Sequence, residues 1–170
     1  MSAAYSTEGW KELFICAGGA TAALSGLIFV GLSINIQTVL DIDRREGHNF
    51  LTGRALEAFV ALLNVLAISI VALTPAISRG VLAAFILLIA AASAISPATA
   101  LRVSGGRNRL AVPMLIRVVL ATATTLALLT AGVTLATEAG GGLFWLPAAF
   151  VLAITVAAIN AWVLLVEVLR

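Results

Sequence analysis

The chain has 170 residues, 62% of them hydrophobic and 11% charged, and its formal net charge is +2 at pH 7. This composition excludes a soluble globular domain, in which about 25% of residues are charged, because so small a fold cannot hide this much apolar surface. It predicts an all-α integral membrane protein, and the few basic residues cover no continuous face, which excludes nucleic acid as a partner.

Five apolar stretches are long enough to cross ~30 Å of hydrocarbon, which takes ~20 helical residues. A cleaved signal peptide is the alternative for the first stretch, but its apolar run far exceeds the roughly 7–15 residues of a signal core. The sequence therefore predicts one domain, a bundle of five transmembrane helices, and Pro97 should kink or end the third helix. The helices are expected at about residues 13–40, 51–74, 80–101, 111–136 and 143–168.

The distribution of arginines predicts the orientation. With five crossings, seven basic residues fall on the side of the C-terminus, and only Lys11 and Arg79 fall on the other side. Cytoplasmic loops carry such an excess, so we expect the N-terminus outside and the C-terminus inside, in a bacterial cytoplasmic membrane. Aromatic residues, which prefer membrane interfaces, are expected at the outer end: Trp10, Phe144 and Trp145. The seven basic residues are Arg44, Arg45, Arg54, Arg102, Arg107, Arg109 and Arg170.

The first helix carries a ridge of small residues, because Gly18, Ala22 and Gly26 recur every four positions. Small residues at this spacing let two helix backbones approach closely. The ridge predicts a packing surface, either within one chain or between copies in a homo-oligomer, and the spacing does not decide between these alternatives.

Two charged residues lie well inside the apolar stretches, where a charge is expensive. Glu57 belongs to the second helix and Arg117 to the fourth. Counted from the cytoplasmic ends at 1.5 Å per residue, both lie ~8–9 Å deep. We therefore predict that they form an ion pair, and Arg54, three residues before the carboxylate, can also reach it along the helix.

Further polar residues are expected at the same depth. Asn35 lies on the first helix and Asn160 on the fifth. Two turns deeper, Asn64 shares a helix face with Glu57, and Thr124 shares one with Arg117. This polar layer is either a satisfied hydrogen-bond network that fixes helix register or the lining of a water-filled vestibule or polar pocket. The third helix offers only the hydroxyl groups of Ser93, Ser96 and Thr99.

The connection between the third and fourth helices is basic and glycine-rich. Its three arginines, Arg102, Arg107 and Arg109, are candidates for binding anionic lipid headgroups at the cytoplasmic surface. The alternative is a flexible turn that only contributes to the positive-inside bias.

Enzyme chemistry has no support in the sequence. His48 is the only histidine, Cys16 the only cysteine, and no histidine or lysine lies in an apolar stretch to activate a nucleophile. A zinc site would require several such ligands. We therefore predict no catalytic residues, no metal and no cofactor.

Two segments resemble a known pattern. Residues 18–35 read GGATAALSGLIFVGLSIN and end in F-V-x-x-S-I-N, and residues 51–63 read LTGRALEAFVALL and begin with L-x-x-R-A-x-E. Over about residues 1–75 the chain resembles a widespread bacterial family of short polytopic membrane proteins, some of which are labelled modulators of a membrane-bound protease. The resemblance implies no catalytic residues, and its motif includes Asn35, Arg54 and Glu57.

Together these features favour a non-enzymatic, homo-oligomeric membrane protein whose polar layer forms a pore or vestibule for ions or small polar solutes. One alternative is a small scaffold or regulatory subunit of a larger membrane complex, such as a membrane protease. Another is a protein that binds membrane lipids in grooves between its helices. The expected partners are thus membrane lipids, further copies of the chain or a larger complex.

Overall fold

The computed structural model describes residues 3–46, 50–95 and 112–169, and this part of the chain consists of helices and their short connections, without a strand. The predicted all-α fold is confirmed. Within these ranges, three short 3-10 helices accompany the long ones, at Ala3–Tyr5, Glu8–Trp10 and Gly142–Phe144. The five α-helices of the described residues are α1 (Lys11–Glu46), α2 (Phe50–Ala72), α3 (Arg79–Ser93), α4 (Val112–Thr137) and α5 (Trp145–Leu169).

Four of these helices, α1, α2, α4 and α5, are long and apolar enough to cross a membrane. The apolar α3 has 15 residues, so it is only ~22 Å long at 1.5 Å per residue. The predicted third helix continues to residue 101, and its end, including Pro97, lies outside the described residues. At 36 residues α1 exceeds its predicted length because the charged run after residue 40 continues the helix, with Arg44 donating to Asp41 across one turn.

Helices α2, α3, α4 and α5 form a ring, and α1 packs on the outside of this ring, mainly against α2. Each helix of the ring contacts its two neighbours, whereas α2 and α4 are diagonal and have little direct backbone contact. The core between the helices is apolar and includes Phe14 of α1. Its ring packs edge-on against that of Phe150, with ring centroids 6.3 Å apart.

The buried face of α1 differs in part from the predicted ridge. Gly18 is buried against α2, where a Cβ atom added to it would lie 3.2 Å from the Cβ of Ser69. Ala22 and Gly26 are exposed, because the buried positions advance by four and then three residues and so follow the 3.5-residue repeat of two long packed helices. Packing within the chain therefore uses only the first residue of the ridge.

One end of the bundle gathers the N-terminal segment and the connections α2–α3 and α4–α5. Trp10 packs edge-on against Phe144, with ring centroids 5.0 Å apart, and Arg79 forms a salt bridge of 2.7 Å with Glu138. Gly142 has φ +52°, and a Cβ there would collide with the backbone oxygen of Ala4, so only glycine fits this approach. The aromatic residues expected at one interface thus share one end of the bundle.

At the opposite end, Asp43 connects α1 to the start of α2. Asp43 is 5% exposed, and its carboxylate accepts hydrogen bonds from the backbone N–H groups of Leu51 and Thr52, at 2.9 and 3.1 Å, and from the Thr52 hydroxyl at 2.6 Å. The first N–H groups of a helix have no partner within the helix, and a negative charge is favourable there. Asp43 therefore fixes how the chain turns from α1 into α2.

We expect Asp43→Ala to lower the free energy of unfolding by about 1–2 kcal/mol, the cost of losing a helix cap, and Asp43→Asn to lower it by less. The amide oxygen of asparagine still accepts one of the backbone hydrogen bonds. Denaturation followed by circular dichroism in detergent measures the change. Asp41→Ala is the matched control, because its exposed ion pair with Arg44 is worth under about 1 kcal/mol. Equal effects of Asp43→Ala and Asp41→Ala would contradict the capping role.

Candidate functional site

The ion pair predicted between the second and fourth helices is present. The Arg117 Nε donates to the Glu57 Oε2 over 2.6 Å and joins α4 to α2 across the diagonal of the ring. The Glu57 side chain is only 10% exposed and that of Arg117 is 27% exposed. In so apolar a bundle the carboxylate is stabilised by this cation, because an unpaired charge there is expensive.

Asn160 brings a third helix, α5, into the same network. Its side chain is almost completely buried, and its Nδ2 donates to the Glu57 Oε2 over 3.1 Å while its Oδ1 accepts from the Arg54 Nη1 at 3.2 Å. An amide can donate and accept at once, which suits a position between a carboxylate and a guanidinium group. Arg54, expected to reach the carboxylate along α2, is thus connected to it through Asn160.

Helical spacing explains why α2 presents this set on one side. Arg54 and Glu57 are three residues apart, and Asn64 follows two turns later, so the three side chains share a face. The Asn64 Nδ2 donates to the Ser93 Oγ over 3.1 Å and ties α2 to α3. The polar face of α2 therefore contacts all three other helices of the ring.

A cavity of about 530 Å³ lies inside the ring and is lined by α2, α3, α4 and α5. Glu57 and Arg117 line one end, and the wall then runs along α4 to Leu128, eleven residues or ~16 Å further. The Thr124 hydroxyl donates to Leu120 O within its own helix, so this residue adds little free polarity. Beyond the ion pair, Asn64 and Ser93, the lining is largely apolar and includes Val65, Ile68, Leu128, Ala149, Phe150, Ala153 and Val156.

The expectation that Asn35 joins the polar layer requires correction. Its Nδ2 donates to Gly31 O of its own helix over 2.9 Å, and its side chain lines a separate apolar groove of about 350 Å³ between α1, α2 and α5. Since α1 packs outside the ring, its residue at the corresponding depth does not reach the ion pair. Depth alone could not predict this, because depth does not say which helices are neighbours.

Several candidates fall outside the described residues. These include the three proposed headgroup ligands, Arg102, Arg107 and Arg109, and also His48. Within the part of the chain that the structure describes, no three His, Cys, Asp or Glu side chains come together as ligands for a metal ion.

Sequence reasoning offered a polar pocket at this level but missed the long apolar wall of the cavity and the role of Asp43. The cavity arises where small side chains of different helices face each other, among them Ala61, Ala121 and Ala153. An alanine-rich apolar helix gives no signal for this, because alanine is equally common at tight contacts. Asp43 lies eight residues before Leu51, whose backbone N–H donates to it, so no local capping pattern in the sequence indicates this role.

Searches against protein-family models, curated proteins and solved structures found no match to this chain. The fold and the site alone therefore define its class. Its described residues form an all-helical bundle, with several helices apolar enough for a multi-pass membrane protein and with an ion pair at one end of a half-open cavity between the helices. The family resemblance of the first two helices stays a prediction.

We expect Glu57→Met and Arg117→Met each to lower the free energy of unfolding by about 2–3 kcal/mol. This is less than for a fully buried pair because Arg117 is partly exposed. The double variant should cost clearly less than the sum, since each single change leaves one unpaired charge. Denaturation in detergent measures the three values, and strictly additive effects would show that the pair is not coupled.

Proposed function

We propose that this chain is a non-enzymatic, multi-pass membrane protein that binds an amphipathic molecule in the cavity between α2, α3, α4 and α5. The cavity itself is the observation that carries the proposal: a space of about 530 Å³ with an ion pair at one end and an apolar wall along the rest. Ligand sites typically have ~300–1,000 Å³, are mostly apolar and use a few polar groups to orient the ligand.

The pattern of the lining favours an amphipathic ligand over water or ions. A water in a cavity needs two to four polar partners, and most of this wall offers none. A molecule with a polar head and an apolar tail matches both ends. Leu56 and Val60 of α2 line the cavity and are 62% and 42% exposed, so the cavity opens at the side of the bundle. In a membrane, a side opening of this kind meets lipid.

A pore for ions or small polar solutes is the second candidate function. It requires an assembly of several chains, because the polar side chains of one chain bond within it. The Arg117 and Asn160 side chains both donate to Glu57 within one chain, which is what a register-fixing network requires. A homo-oligomer or a complex with a larger membrane protein is supported by α1, where the small residues Ala22 and Gly26 are exposed and leave room for another helix. Ion conductance of the purified protein in planar bilayers would favour the pore.

We also propose five crossings of a cytoplasmic membrane, with the N-terminus outside. Two observations support it: the N-terminal segment shares one end of the bundle with the connections α2–α3 and α4–α5, and Arg44, Arg45 and Arg54 lie toward the other end. A third crossing would require residues beyond Ser93, since α3 alone is too short.

This orientation predicts the labelling of single cysteines by an impermeant maleimide on intact cells. In a Cys16→Ala background, Glu8→Cys should react and Arg44→Cys should react only after the cells are opened. Glu8 and Arg44 are both exposed and lie beyond opposite ends of the apolar part of α1. The reverse labelling pattern would invert the topology, and labelling of both sites on intact cells would exclude a helix that spans between them.

Filling the cavity should remove the bound ligand. Ala121 lines the cavity on α4, and we expect Ala121→Phe to lower the amount of amphiphile retained by the protein several-fold, because the larger ring occupies the binding space. Native mass spectrometry from a mild detergent measures retention. Ala136→Phe, an exposed position of the same helix, is the matched control and should retain ligand like the unmodified protein. Unchanged retention in Ala121→Phe with intact helicity would refute the site.

A further inference from the structure

Arg117 has hydrogen-bonding capacity that the ion pair does not use. A guanidinium group carries five N–H donors, and the contact with Glu57 uses the one on Nε. Within the described residues, no hydrogen bond of Arg117 involves its terminal nitrogens, Nη1 and Nη2. These nitrogens carry the other four N–H groups, on a residue that lines the cavity. The Arg117 side chain is 27% exposed, so these donors are accessible to a molecule that enters the cavity.

We propose that the ligand of the cavity is an anionic amphiphile, whose carboxylate or phosphate binds the terminal nitrogens of Arg117 and whose alkyl chain lies along the apolar wall. The planar guanidinium group suits this role because it can hold two oxygens of one anion at once. This inference rests on the proposed function and adds to it the charge of the ligand's head.

The rest of the cavity fits the alkyl chain. From Arg117 the wall continues for ~16 Å along α4 to Leu128, and Ile68 of α2 and Phe150 of α5 complete it at that depth. Apolar contact along this wall stabilises the bound alkyl chain. The polar groups Asn64 and Ser93 are neutral and are bonded to each other. Headgroup charge and chain burial thus come from opposite parts of the same cavity.

A free fatty acid and a bilayer phospholipid share this chemistry, so the test uses both. The first pair of probes is hexadecanoate and hexadecanol, which have the same chain and differ in the charge of the head. The second pair is phosphatidylglycerol and diacylglycerol with identical chains, of which only the first carries a phosphate. Each probe is added to the full-length protein in a mild non-ionic detergent, and native mass spectrometry counts the retained molecules. Retention of hexadecanoate would assign a free fatty acid, and retention of phosphatidylglycerol alone a bilayer lipid.

The variant for this test is the double substitution Glu57→Gln/Arg117→Gln. Removing Arg117 alone would leave the buried Glu57 carboxylate without its cation, whereas two amides can still bond to each other. Arg79→Gln is the matched control, because it neutralises an arginine at the opposite end of the bundle. Circular dichroism establishes that each variant keeps its helices.

We expect the unmodified protein and Arg79→Gln to retain the anionic probe of at least one pair about ten-fold better than its neutral partner, as charge-assisted hydrogen bonds imply. In the double variant that preference should shrink to within about two-fold. Equal retention of both partners by the unmodified protein, or an unchanged preference in the double variant, would overturn the inference and leave the cavity as an amphiphile site. The first of these outcomes decides the matter even if the double variant does not fold. Retention of none of the four probes would overturn the proposed function as well.

Discussion

The constraint on which the rest of the structure depends is the burial of the Glu57 carboxylate in an apolar helical bundle. A carboxylate in such surroundings must meet a cation and further donors, and the partners come from two other helices, Arg117 on α4 and Asn160 on α5. These bonds set the rotation of α2, α4 and α5 about their axes. Apolar contacts alone would set it poorly, because alanine- and leucine-rich faces are interchangeable.

The same bonds explain why a cavity persists inside the ring. The ion pair spans the diagonal between α2 and α4, which have little direct backbone contact, so the two helices are connected by side chains at one level. Deeper in the bundle, small side chains face each other across the remaining space. The network of Glu57, Arg117 and Asn160 therefore has both roles predicted for the polar layer. It fixes the register of the helices, and it forms the polar end of a pocket.

The sequence predicts a contact correctly where the cost of burying a polar group and its depth along the helix decide that contact. The predicted ion pair of Glu57 and Arg117 is correct because the sequence shows both that each charge lies in an apolar stretch and how deep it lies along its helix. Asn160 was placed at the correct level for the same reason. The prediction that Asn35 joins the polar layer is wrong because its helix lies outside the ring. Of the predicted ridge, only Gly18 is buried, because a four-residue spacing does not follow the 3.5-residue repeat of the α1–α2 contact.

By itself the sequence determined that this chain is helical and apolar enough for a membrane, because composition and the length of apolar runs decide those properties without any contact between helices. It also determined which charges require partners. Only the tertiary structure decided which helices are neighbours, and hence that Asn160 completes the network, that Asp43 caps α2 and that an amphipathic cavity opens beside Arg117. The physical reason is that lateral order and rotation are set by side-chain packing between distant segments.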